Sequence, residues 1–225
     1  MCYLWKLERF TEMLIGVVFV ALGLSFMMKS GLGQTALTAF IQCVSLISGV
    51  KSGTLIMLFY LLCVFLQLLI QKKEFDKRQV LQILISWIQG TIVNLFCYDV
   101  AFFANIKPAS YLMQWIFMIA GIVLVSSGVA VTMAADLVKQ PFEQLIMVLA
   151  NKYHRSFRFM RCGADAFFIL ISLLMIFGFS LDFTSLREGT WISMLLMGNS
   201  MAVLIPLIQR YSLSYRRMHD VTVRL

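Results

Sequence analysis

Asp165 lies inside an apolar stretch, Ala164-Asp-Ala-Phe-Phe-Ile-Leu170, with Arg161 four residues before it. An acid within a membrane span is costly and by default marks an ion or substrate path. Pairing with Arg161 and a place in an early helical turn would serve it equally well as a structural group. Asn94 and Asn199 also fall inside apolar runs. A buried amide there either bonds a neighbouring helix or, given the matching placement of the two, lines a polar cavity. Gly31 and Gly33, in Lys29-Ser-Gly-Leu-Gly-Gln-Thr35, interrupt the first apolar run and can supply the positive φ angles of a chain reversal. A helix starting after them would present free N–H groups and a positive dipole end to an anion. A plain helix C-cap and turn is the simpler role. In Ala134-Ala-Asp-Leu-Val-Lys-Gln-Pro141, Asp136 tolerates a tight turn and Pro141 suits the first turn of a helix. These seven positions are the candidates for a substrate or ion path.

Other chemistry finds little support. There is no HExxH or GxSxG, and the carboxylates are scattered. The five cysteines show neither CxxC nor zinc spacing, and three of them read as small hydrophobes within or against apolar runs. His154 and His219 sit in basic segments. Neither an enzyme, a metal site nor a cofactor is expected.

The elements that must position these residues are membrane spans. Of the 225 residues, 60% are hydrophobic and 13% charged, with mean hydropathy +0.86. Soluble domains are about a quarter charged, and so few charges cannot cover a water-soluble globule of this size. Six segments are long and apolar enough to cross: 12–29, 53–71, 80–98, 112–133, 162–181 and 190–208. With the amino terminus inside, all but four of the 19 Lys and Arg residues fall in inner segments; the four are Lys29, Lys51, Lys107 and Arg187. That bias predicts a multi-pass protein of the cytoplasmic membrane with both termini cytoplasmic. The net charge of +8 is accounted for by this bias, without any nucleic acid as partner.

Two shorter apolar pieces, 35–50 and 140–150, follow the first and fourth spans and read as interfacial or re-entrant helices. A shift of 105 residues aligns them and pairs Gly16 with Gly121, Gly23 with Gly128, and Asn94 with Asn199, without a gap. The expected fold is an all-α polytopic membrane protein: a single membrane domain of six transmembrane helices in two three-helix repeats. The first repeat is 1–105 and the second, with a basic tail, 106–225. Three spans per half is odd, so the repeats must be inverted, a recurring design of secondary transporters.

The Gly31-Leu32-Gly33 turn after a glycine-spaced first helix resembles the YczE/YyaS/YitT group of bacterial integral membrane proteins. The combination of Pro141, Arg161, Asp165 and the Gly189-Thr190 pair resembles it too. The group typically has a proline soon after the first turn; here position 36 is alanine, and the second half lacks the turn glycines. The resemblance covers nearly the whole chain and implies a small multi-spanning protein of the bacterial cytoplasmic membrane. The expected function is a permease for a small solute, working by alternating access and, because 225 residues make a slim bundle, as a homodimer. The rival is an adaptor that docks a cytoplasmic partner through basic loops and the tail.

Overall fold

Long apolar helices alternate with two short ones. The computed structural model describes residues 2–72, 76–100, 108–135 and 137–211, excluding the side chains of 2–8, 77, 198, 199, 201, 202 and 209–211. Its helices are α1 (Cys2–Ser30), α2 (Ala36–Ser48), α3 (Ser52–Gln71), α4 (Leu81–Asn94), α5 (Tyr111–Ala135), α6 (Pro141–Lys152), α7 (Phe157–Phe179) and α8 (Glu188–Tyr211). There is no strand among the described residues. Five helical stretches are long and apolar enough to cross a membrane: Arg9–Ser30, Ser52–Gln71, Arg78–Asp99, Tyr111–Ala135 and Phe157–Phe179. This is the build of a polytopic membrane protein.

Polarity is arranged accordingly. Leu58, Leu62, Phe65 and Leu69 on α3, and Phe167, Leu170, Leu174 and Phe177 on α7, face outward. Gln67, Gln82, Gln89, Ser126 and Thr132 are buried. Outward Leu and Phe at helical spacing are costly in water and neutral against lipid tails, whereas inward amides find partners only among neighbouring helices.

Glycines set the central crossing. A Cβ at Gly16 would come within 2.7 Å of the Gly128 carbonyl oxygen, and one at Gly23 within 2.7 Å of the Gly121 oxygen. The lower-numbered glycine of α1 therefore meets the higher-numbered one of α5, so the two helices run antiparallel with backbones nearly touching. Gly53 and Gly90 bring α3 and α4 together in the same manner. Around this pair, α2 packs on α7 and α3 on α6, while α4 lies against α1 and α8 against α5.

The helix bounds differ from the sequence-based ones where local capping decides. α7 begins at Phe157, five residues before the expected 162, because the Ser156 hydroxyl accepts the Phe159 N–H at 3.3 Å. Arg158 and Arg161 thus belong to the helix, and Asp165 sits in its third turn, not an early one. The third stretch starts as a 3₁₀ turn at Lys77–Val80 and ends as a π turn at Leu95–Asp99.

Candidate functional site

The two short helices point their amino termini at one place. Gly31 (φ 68°) and Gly33 (φ 103°) reverse the chain after α1, as expected. The turn is held by the start of α8. Leu32 O accepts the Gly189 N–H at 2.8 Å, Gly31 O accepts Arg187 Nη1 at 3.1 Å, and the Gln34 N–H donates to Thr190 Oγ1 at 3.2 Å. A Cβ on Gly33 would collide with Thr190 Oγ1 and lie 2.8 Å from the Arg187 nitrogen, so only glycine fits. Thr35 then caps α2, its hydroxyl accepting the Thr38 N–H at 3.3 Å and lying 2.8 Å from the Thr38 hydroxyl.

α6 opens differently. Gln140 occupies the cap position without a side-chain cap bond, and Pro141 follows at the first helical position. Gln67 Nε2 donates to Pro141 O at 2.9 Å and to Gln82 Oε1 at 3.0 Å, tying α6 to α3 and α4. Phe59, Phe142 and Phe168 stack edge to face and seat α6 against α3 and α7.

Between the two starts lies a cavity of about 30 Å³, large enough for a water molecule or small ion. Thr35 and Thr38 line it from α2, Gln140 and Glu143 from α6, Tyr60 from α3 and Arg161 from α7. Its apolar walls include Val20 and Leu24 of α1 with Val125 and Val129 of α5. Arg161 bridges two acids: Nη1 donates to Glu143 at 2.8 Å and Nε to Asp165 at 3.2 Å. Its guanidinium also lies 4.6 Å from the Phe142 ring centroid. Gln140 is 2% exposed, and neither its amide oxygen nor its nitrogen has a hydrogen-bond partner. A buried amide left so is costly and suits a group that meets a ligand.

The sequence-predicted residues fall in several places. Pro141 starts α6 beside the cavity, and Asp165 stands one ion pair behind Arg161. Gly31 and Gly33 position α2 from the turn and do not line the cavity. Asn94 is elsewhere: its Oδ1 accepts the Gly53 N–H and its Nδ2 donates to Thr54 Oγ1, both at 2.9 Å, bracing the start of α3. Asp136 lies outside the described residues, as does the side chain of Asn199 on α8. Thr35, Thr38, Tyr60, Gln140 and Glu143 were not singled out by sequence. One signal was available for four of them, since the 105-residue shift pairs Thr35 with Gln140 and Thr38 with Glu143, polar with polar.

Comparison with known proteins agrees with the resemblance read from the turn and the Arg161–Asp165 motif. The chain is 23% identical over 203 residues to the uncharacterized protein YyaS of Bacillus subtilis (strain 168), covering 90% of this chain and 95% of that one. No solved structure matches. Residues 7–206 match the model of a family of unknown function, DUF6198, and the chain belongs to that family.

Proposed function

We propose that the protein is a permease of the cytoplasmic membrane that moves a small solute by alternating access between two inverted repeats. In this reading α8, a helix of 24 residues, is the sixth span, and both termini face the cytoplasm. The protein does no chemistry on the solute.

The make-up of the cavity carries the proposal. A shift of 105 residues turns Val20 into Val125, Leu24 into Val129, Thr35 into Gln140, Leu37 into Phe142 and Thr38 into Glu143, and every one of these residues lines it. The packing is reciprocal in the same sense: Gly16 meets Gly128 while Gly23 meets Gly121, and α2 meets α7 while α3 meets α6. Reciprocal contacts of this kind are what a twofold axis produces. A cavity on such an axis is where rocking one repeat against the other would exchange access from one face to the other.

Two measurements test the reading. Ser48→Cys and Tyr153→Cys, exposed positions at the far ends of the two short helices, each on a cysteine-free background, should react with an impermeant maleimide from opposite faces of the membrane. Labelling of both from one face would sink the inverted arrangement. A thermal-shift screen of amino acids, sugars, nucleosides, carboxylates and amines on the purified protein should then find a solute. That solute should no longer stabilise Gln140→Leu and should accumulate in liposomes holding the wild type. If no solute accumulates, and removing residues 212–225 abolishes the protein's cellular effect, the adaptor reading replaces this one.

A further inference from the structure

We propose that Glu143, Arg161 and Asp165 together hold one exchangeable proton, which couples movement of the solute to the proton gradient. The inference deepens the permease reading by naming its coupling ion, and rests on that reading only for what the proton drives.

The argument starts from charge. Two carboxylates share one guanidinium, and the side chains are 11%, 14% and 20% exposed for Glu143, Asp165 and Arg161. With both acids ionised the triad carries one uncompensated negative charge. Tyr60 and Cys63 face it from α3 and add no positive charge, and among the described residues α1, α2, α5 and α8 line the cavity with uncharged side chains only, while Lys139, just before α6, turns its Nζ to the Met147 sulfur. An uncompensated buried charge is expensive, and binding one proton removes it. The proton comes from water, forms an O–H bond on one carboxylate and leaves a neutral pair of one carboxylate and Arg161; release returns it to water.

The two acids are not held alike. Glu143 lies in the first turn of α6, and its bond to Arg161 is the shorter. Asp165 lies about 12 Å along α7 from its start, beyond the reach of that helix's dipole. Asp165 is therefore the more weakly held of the two acids, and the proton is placed on it. Once protonated it no longer holds the Arg161 Nε–H as a carboxylate does, and Arg161, still paired with Glu143 through Nη1, can turn its Nε edge toward the cavity. Gln140, buried there with an unpartnered amide, offers an acceptor to that guanidinium or to the solute it meets.

Infrared difference spectroscopy of the full chain in reconstituted membranes, scanned in pH, counts protonated carboxyl groups without any solute. The double variant Glu143→Gln/Asp165→Asn supplies the baseline. Near neutral pH the wild type should show one protonated carboxyl more than that baseline. There, Glu143→Gln and Asp165→Asn singly should each match the baseline, because either leaves one acid paired with one arginine, which takes a proton only at strongly acid pH. Single variants intermediate between a wild type with two extra carboxyls and the baseline would mean independent acids and overturn the proposal, as would a wild type equal to the baseline. Should the neutral variants fail to fold, Asp165→Glu keeps the charge count and must move the midpoint of the wild-type band; an unmoved midpoint overturns the proposal. A failed solute screen leaves these spectra untouched, and an absent band leaves solute uptake untouched, so the two readings fail separately.

Discussion

α2 and α6, the two short helices that a shift of 105 residues pairs, have chemically unlike starts. α2 begins on a hydroxyl cap satisfied within its own first turn, behind a glycine reversal bonded to α8. α6 begins on an unpartnered glutamine and carries Glu143 into the Arg161 pair. At the positions that match Arg161 and Asp165 the first half has Ile56 and Tyr60. The same triad in both halves would set two like-charged clusters against a cavity of about 30 Å³, where repulsion is poorly screened. In the repeat reading, the comparison teaches that what the halves share is the scaffold, small residues at a crossing and a short helix aimed inward. The chemistry resides in one half.

If the scaffold is what repeats, damage to it should be equal in both halves. Gly23→Leu and Gly128→Leu each place a side chain against the opposite backbone, which cannot yield as a side chain can. Both should abolish the monodisperse peak on gel filtration in detergent. A folded protein from one and not the other would break the equivalence of the halves. Arg161→Ala strips two buried acids of their partner and should cost about 3 kcal/mol, the low end for a broken buried pair because a fifth of the arginine remains exposed. Ile56→Val, at the matching position, should cost only about 0.5–1.5 kcal/mol. Thermal unfolding in detergent reads both, and equal losses would mean that the charge asymmetry is energetically idle.

A middle-sized effect is expected at Asn94. Its carboxamide braces the first turn of α3 through Gly53 and Thr54, so Asn94→Ala should cost about 1–2 kcal/mol of stability. Loss of solute uptake with unchanged melting temperature would instead return Asn94 to the solute path.

Much of the fold was legible because lipid imposes simple demands on a sequence. Five long apolar helices and both short ones lie close to where hydropathy and length put them. The turn at Gly31 and Gly33 was legible because positive φ is nearly glycine's alone. The site was less so. Thr35 and Thr38 look like ordinary cap residues in sequence, and only the fold shows that the capped end faces a cavity. Glu143 stood in a segment too short to cross, and nothing local ties it to Arg161, 18 residues later. Asp165 was legible as an acid in an apolar run, but its missing dipole support was hidden by a helix start that Ser156 moved to Phe157.

The smallest expected effects discriminate best between the two short helices, because they differ in sign. Thr35→Val removes the hydroxyl that accepts the Thr38 N–H and should destabilise the protein by about 1 kcal/mol. Gln140→Leu, at the matching position, removes an amide that satisfies nothing in the structure, so the desolvation cost disappears and the leucine fills similar volume. The protein should be as stable as the wild type or more so, by up to about 1 kcal/mol. Melting temperatures of the two variants, measured side by side in one detergent, should therefore move in opposite directions. If both fall, Gln140 is a structural cap like Thr35, and the cavity loses the group that most suggests a ligand.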